Sequence, residues 1–221
     1  MRGDVDICVH SYKDMPTEDD PEIPVVAVSP REDARDVLIL PLGVDTLDPS
    51  KPVGCSSKRR QVQFSEIFPG QPVAPVRGNV ITRLEKLDNG EFSALTLAAA
   101  GILRLGLWER CSRIFSPEEM LPSACQGILA VQGRRGEDHS YLGHYNDKNA
   151  QDASIAERAF IRRLGYGCGA PVGAFAQIDD NEMRLRGMIA GSDMVIRRDE
   201  MRGNRGDAAE IGKALAERML G

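Results

Sequence analysis

The chain has 221 residues, 28 Lys plus Arg against 33 Asp plus Glu for a formal net charge of −5, and 42% apolar residues. These figures describe a globular protein of one or two domains, or three small lobes, with enough apolar content to bury a core. No run of eighteen apolar residues exists, which excludes a membrane-spanning helix. The opening Met1-Arg2-Gly3-Asp4 carries no apolar stretch of a secretory leader, and no Asn-X-Ser/Thr acceptor follows, so the expected compartment is the cytoplasm.

Taken in chain order, Val5, Ile7 and Val9 alternate with polar neighbours and predict a strand that runs into a turn at His10 to Asp14. Pro16 biases Met15 toward an extended conformation. A second apolar run covers 23–28, and the charged stretch 31–36 reads as a crossing between lobes. A strand at 37–40 precedes a Pro/Gly/Asp loop. Strand 52–55 then leads through Ser56-Ser57 into helix 58–68, strand 72–76 through Arg77-Gly78-Asn79 into helix 80–87, and strand 94–97 into helix 98–105. Three strand-then-helix units in succession predict a parallel α/β lobe, whose ligands sit beyond the carboxyl ends of its strands. The tail differs: a helix over 152–164 stopped by glycines, strands at 172–178, 183–189 and 194–201, and a helix over 208–219 predict a small α+β unit with a three-stranded meander.

Charge is uneven. Residues 51–104 hold eight basic and four acidic side chains, so that segment is +4 and the remainder −9. This favours an anionic ligand held at one place over a surface made for nucleic acid, with a solvated charged helix face as the plain alternative. Ser56 and Ser57, with Arg59 and Arg60, stand where a strand gives way to a helix, a corner suited to carboxylate or phosphate. Arg77-Gly78-Asn79 with Arg83, and then Arg104, occupy the equivalent corners of the next two units. Arginines at successive corners of one sheet edge converge on one cleft.

The five cysteines, Cys8, Cys55, Cys111, Cys125 and Cys168, are odd in number and form no Cys-x-x-Cys pair, and with only three histidines neither a disulfide framework nor a metal site is expected. Their default role is that of small buried hydrophobes. Cys168 differs, because the glycines of Gly165-Tyr166-Gly167-Cys168-Gly169 leave its thiol sterically open. Asp14 is by position a turn-forming residue.

The stretches DICVHSYKDMP (6–16), SSKRRQ (56–61), RGNVITRLEKLDNGE (77–91), AAAGILRLG (98–106) and GYGCGAPVGAFA (165–176) resemble the porphobilinogen deaminase, or hydroxymethylbilane synthase, family. The five blocks occur in the family's order and run over nearly the whole chain. The resemblance implies an enzyme that joins four porphobilinogen molecules head to tail with loss of ammonia, on a dipyrromethane cofactor tethered by a thioether to a cysteine that here is Cys168. It places the catalytic aspartate at Asp14. Ser11, Lys13, Ser57, Arg59, Arg60 and Arg83 fall on cofactor-binding positions, and Arg77, Arg104, Gln126 and Gly127 on substrate-binding ones. The implied fold is a set of periplasmic-binding-protein-like α/β lobes plus the C-terminal α+β domain with its three-stranded antiparallel sheet. Residues 1–29 with 121–148 form a partial first lobe, 30–120 the second, and 149–221 the domain that carries Cys168.

Departures from the family pattern are Cys55 and Lys58 in the serine-arginine corner, Cys125 where the family has glycine, and Gly169-Ala170 after the attachment cysteine. The chain also starts after the family's opening strand and helix. The expectation is therefore a catalytically poor polypeptide, a monomer by family habit or a dimer through an uncovered apolar face. Neither nucleic acid nor membrane is expected as a partner. A different class stays open: a non-catalytic binding module for a small polycarboxylate ligand, which would need no open thiol. The Arg-Gly-Asp triplets at Arg2 and Arg205 are too short to carry an adhesion claim.

Overall fold

The computed structural model of the chain describes residues 4–165, 169–191 and 193–221. Strands β1 (Ile7–Ser11), β2 (Val25–Val28), β3 (Asp36–Ile39), β4 (Val53–Gly54), β5 (Val73–Ala74), β6 (Ala94–Ala98), β7 (Arg113–Ile114) and β8 (Leu129–Gly133) precede the tail, with helices α1 (Lys58–Ile67), α2 (Val80–Asp88) and α3 (Ala99–Arg104) among them. In the tail, α4 (Lys148–Leu164) leads to β9 (Val172–Asp179), β10 (Glu182–Ala190), β11 (Ile196–Asn204) and α5 (Ala208–Leu220).

The expected parallel lobe is a mixed sheet of order β5-β4-β6-β3-β7. β4 runs parallel to β5 and β6, as the strand-then-helix units require, whereas β3 pairs antiparallel with β6 and β7. The physical reason is the connection: β3 is followed by the 41–52 loop and no crossover helix, so its direction is free to oppose its neighbours. Every residue of β3 is buried. Val37 and Ile39 join Leu84, Leu87 and Ile102 on one face, while Leu38 joins Val53, Phe64 and Phe115 on the other, so helices cover both faces.

A smaller antiparallel sheet of order β1-β8-β2 takes its central strand from more than a hundred residues downstream, and its register sets His10 opposite Ala130 and Ser11 opposite Leu129. β1 forms its edge, with Val5 and Val9 more than half exposed. The third sheet is the expected meander, order β11-β10-β9. α4 and α5 pack on it around Phe160, Met183, Leu185 and Leu215. α4 begins four residues earlier than expected because the Asp147 carboxylate caps it, accepting from the Ala150 N–H at 2.7 Å. It ends at Gly165 in the left-handed region, φ 70°.

One carboxylate joins the sheets. Glu157 of α4 is fully buried and accepts two hydrogen bonds from Arg31, at 2.8 and 2.7 Å, one from the Cys125 N–H at 2.6 Å and one from the Ala176 N–H at 2.7 Å. Its donors thus come from the crossing segment, the loop before β8, and β9. Arg31 in turn donates to the Gln126 carbonyl at 3.0 Å and lies over the Phe175 ring. Removing one partner of a buried pair strands the other charge. Glu157→Ala is therefore expected to lower unfolding free energy by about 3–5 kcal/mol in urea titration. A loss below about 1 kcal/mol would show that this junction holds little together.

Candidate functional site

β1 ends in a 3-10 turn at Tyr12–Asp14, after which Met15 is extended, φ −76° and ψ 151°, as a residue before proline prefers. The turn splits its side chains. Tyr12 is buried under the Arg158 guanidinium, 4.8 Å from its ring centroid. Ser11, Lys13 and Asp14 line a cavity of about 210 Å³ together with Arg60, Arg83 and Arg104. Gln126, Gly127, Leu97 and Ala98 are also in the lining, so the cavity lies at the carboxyl end of β6, as the α/β pattern predicted.

Each cation is aimed by a local device. Ser57 caps α1 by accepting from the Arg60 N–H, while the Ser56 hydroxyl ties the end of β4 to Val76, donating to its carbonyl at 2.6 Å and accepting from its N–H at 3.0 Å. Asn79 caps α2, and Arg83 donates through Nε to the Gly78 carbonyl at 2.8 Å, Gly78 having φ 113°. Arg104 donates to the Gly127 carbonyl at 2.9 Å. Gly127 itself has φ 91°, and a Cβ there would stand 2.3 Å from the Glu32 carbonyl oxygen, so only glycine fits.

Behind the cavity lies a polar cluster that sequence reasoning missed. Asp36, fully buried at the head of β3, accepts from Arg59 Nη1 at 2.6 Å, Arg60 Nε at 2.8 Å and Gln126 Nε2 at 2.8 Å. Burial alone would push its carboxyl up, but the two guanidinium groups outweigh that and hold it at about 2. The Gln126 Oε1 accepts from Arg60 Nη2 at 3.3 Å and from Lys13 Nζ at 3.4 Å. The sequence signal was a lone acid heading an otherwise apolar strand, and it was hidden in a stretch that reads as a charged connector.

The structure therefore brings together Ser11, Lys13, Asp14, Arg60, Arg83, Arg104, Gln126 and Gly127. It does not bring Arg59, Arg77 or Ser57 to the cavity lining. Arg59 is 2% exposed and turned inward, bonded to Asp36, the Leu121 carbonyl and the Ser123 hydroxyl, with its Nη2 buried and unpartnered among the described residues. Arg60, the next residue of α1, bonds the same Asp36 carboxylate but also lines the cavity. Arg77 is exposed at its corner. Cys168 lies outside the described residues. A second cavity, of about 80 Å³, opens on Lys13, Tyr12 and Cys125 and reaches Ala170, two residues beyond Cys168 in the chain. Cys125 adopts φ 60°, a conformation suited to the glycine of the family pattern, and burial pushes its thiol far up, away from reactivity.

The cavity carries four cations against one acid, Asp14. Burial, and next the like charge of Arg60, lowers Lys13 to about 8; the same two causes, in that order, lower Arg83. Such crowding is relieved by a ligand bearing several carboxylates. A cavity of about 500 Å³ among Tyr12, α4 and α5 is also lined by four cations and one acid, but there every cation is ion-paired: Arg158 and Arg162 with Asp19, Arg163 with Glu217 and Lys213 with Glu210. Lys13, Arg83 and Arg104, by contrast, have no carboxylate partner within ion-pair distance among the described residues. No group of metal-ligating side chains occurs among the described residues.

Comparison with known proteins gives two family matches: "Porphobilinogen deaminase, dipyromethane cofactor binding domain" over residues 1–141 and "Porphobilinogen deaminase, C-terminal domain" over residues 152–221. A porphobilinogen deaminase of Alkaliphilus oremlandii is 54% identical over 98% of this chain and 73% of its own length. That of Acetivibrio thermocellus is 50% identical over 100% of this chain and 75% of its own, and that of Coxiella burnetii 41% identical over 100% and 73%.

Lys13 gives the site a pH signature of two opposite signs. Folding lowers its pKa from 10.5 to about 8, so between those values the unfolded chain binds more protons and stability rises with pH. Anion affinity moves the other way, because the ammonium charge is lost above about 8. Calorimetric binding of citrate, whose own charge is constant there, is expected to weaken roughly tenfold from about pH 7 to 9.5. Lys13→Met should flatten that profile; an equal slope in the variant would remove Lys13 from the site.

Proposed function

The chain belongs to the porphobilinogen deaminase family, and from that membership we propose how its own residues carry the family's reaction. The family's activity is that of a transferase, hydroxymethylbilane synthase: four porphobilinogen molecules are condensed stepwise on a dipyrromethane primer, with ammonia released at each step, in tetrapyrrole and haem biosynthesis. The expected rate for this chain is a low one. Each condensation breaks the aminomethyl C–N bond of one substrate and forms a C–C bond at a free pyrrole carbon. The hydrogen displaced there leaves with the amine as ammonia.

The observation that carries the assignment of roles is the gathering of four cations around one acid in the cavity at the end of β1. Each pyrrole of this pathway bears two carboxylates, so a dipyrromethane is a tetra-anion, and the donor set of Lys13, Arg60, Arg83 and Arg104 suits it. Tethered through a thioether to Cys168, that group supplies the free ring carbon to which the first substrate is joined. Lys13, Arg60 and Arg83 hold its acetate and propionate groups, with Ser11 donating beside them. Arg104, Gln126 and Gly127 border the space for incoming substrate, and exposed Arg77 meets substrate at the outer corner. Ser57 acts through its cap on α1, and Arg59 through the interior pair with Asp36.

Asp14 is the catalytic group. Its carboxylate faces the cavity from the turn after β1 and stabilises the positive charge that develops on the substrate ring as ammonia departs. The same carboxyl handles the proton at the leaving amine or the attacked ring carbon.

At the level of architecture we place β1, β2 and β8 in a partial first lobe of residues 1–29 and 121–148, the mixed sheet in a second lobe of 30–120, and α4 to α5 in the domain of 149–221. A periplasmic-binding-protein-like pairing of the first two is supported by the cavity, which both line. No described helix is long and apolar enough to cross a membrane, and the cytoplasm is the compartment we propose. The working form is a monomer, and a second copy would meet it at the exposed face of β1.

Intact mass of the purified chain is expected to carry a two-pyrrole increment that maps to Cys168; an unmodified Cys168 in a chain that still binds polycarboxylates would favour the non-catalytic binding module. Asp14→Asn should retain the increment while turnover falls roughly a hundredfold or more. Near-normal turnover in that variant would refute the catalytic role of Asp14.

A further inference from the structure

Asp36 lines none of the cavity, yet two of the three side chains that bond its carboxylate, Arg60 and Gln126, do. Arg60 meets it through Nε, which leaves Nη1 and Nη2, each holding one long bond (to the Thr96 carbonyl at 3.5 Å and Gln126 Oε1 at 3.3 Å), with a further N–H apiece for a ligand. Gln126 meets it through Nε2, which leaves its carbonyl oxygen toward Lys13 and Arg60. Gln126 is fixed further by donating to the Ala34 carbonyl at 2.7 Å, so its amide cannot turn over without losing both bonds. Arg59 holds the second carboxylate oxygen from the other side. The carboxylate stays ionised at any ordinary pH, held so by the two guanidinium groups against its own burial.

We infer that Asp36 is a positioning residue of the anion cleft: through Arg60 directly and through Gln126 indirectly, its carboxylate aims two cations into a cavity that it does not itself touch. The inference rests on the reading of that cavity as the carboxylate-binding site of the family. It also explains a ratio. One buried acid is shared by two arginines, so the cluster is stable without ligand while keeping a net positive charge for an incoming carboxylate.

Positioning and simple charge make opposite forecasts. Asp36→Asn removes a negative charge near the cleft, and by Coulomb's law alone an anion should then bind more tightly. If Asp36 aims Arg60 and Lys13, the same variant binds more weakly. Porphobilinogen affinity, measured by calorimetry on the full chain, is expected to fall roughly tenfold in Asp36→Asn. Asp36→Glu keeps the charge but displaces it by one methylene, and a weakening there as well is expected; wild-type affinity in the Glu variant would reduce Asp36 to a charge.

The side-chain nitrogen NMR signal of Arg60 supplies an arm independent of ligand and of variant folding. In the unsubstituted chain its Nε–H should exchange slowly with water, and rapid exchange would overturn the inference. In a folded Asp36→Asn the signal should move and exchange faster. Unchanged Arg60 behaviour with equal or tighter porphobilinogen binding would also overturn it. Failure of the unsubstituted chain to bind porphobilinogen would instead count against the family reading of the cavity, and the NMR arm would still decide the role of Asp36.

Discussion

A carboxylate withdrawn from water must be met by donors on every side, and in this protein two such carboxylates, Asp36 and Glu157, set the arrangement of everything else. They meet at one loop. The Cys125 N–H serves Glu157, the Gln126 amide serves Asp36, and Arg31 closes the circuit by bonding both Glu157 and the Gln126 carbonyl. Gly127 then offers its carbonyl to Glu32 and Arg104. Three consecutive residues thus connect α4, the crossing segment, α1 and α3, and the apolar clusters on either side are registered against one another by polar geometry.

The same arrangement prepares the cleft. Burial, and after it the like charge of Arg60, lowers Lys13 and Arg83, so crowding the cations there is unfavourable. Asp36 offsets it from behind and Asp14 from within the cavity, yet cations remain in excess. On the proposed reading, a polycarboxylate ligand would complete the neutralisation, and its binding would also stabilise the folded chain by linkage. The cavity walls come from β1 and from the mixed sheet, so the ligand would tie those two parts together at the place where Gln126 and Gly127 already do.

Much of this was legible in the sequence, and what was not has physical causes. The meander and its two helices were readable because their periodicity is local and their turns carry Asp, Asn and Gly. The strand-then-helix units of α1, α2 and α3 were readable for the same reason. β7 and β8 were missed: β7 is two residues long, and β8 finds both partners about a hundred residues away, a pairing no local window contains. Charged residues inside the fold were the harder loss. Glu157 on an amphipathic helix and Asp36 in a charged run look like solvated surface, because a sequence shows the charge and hides the donors that will satisfy it. The arginine pair divides in a way the sequence does not display: both guanidinium groups bond Asp36, but Arg59 takes its remaining partners from the interior while Arg60 also lines the cavity.

Cys125 shows how far the loop is governed by that accounting. Its φ of 60° is unfavourable for a residue with a Cβ, by roughly 1 kcal/mol, and a glycine would adopt it without strain. The conformation persists because it directs the Cys125 N–H onto Glu157 at 2.6 Å, and abandoning it would leave a buried acceptor short of one donor. Burial of the thiol against Tyr12, Met15 and Ile128 offsets part of the strain. The side chain that departs from the family pattern is therefore accommodated as packing. The backbone geometry imposed by the buried carboxylate is retained, and with it the position of Gln126 one residue on.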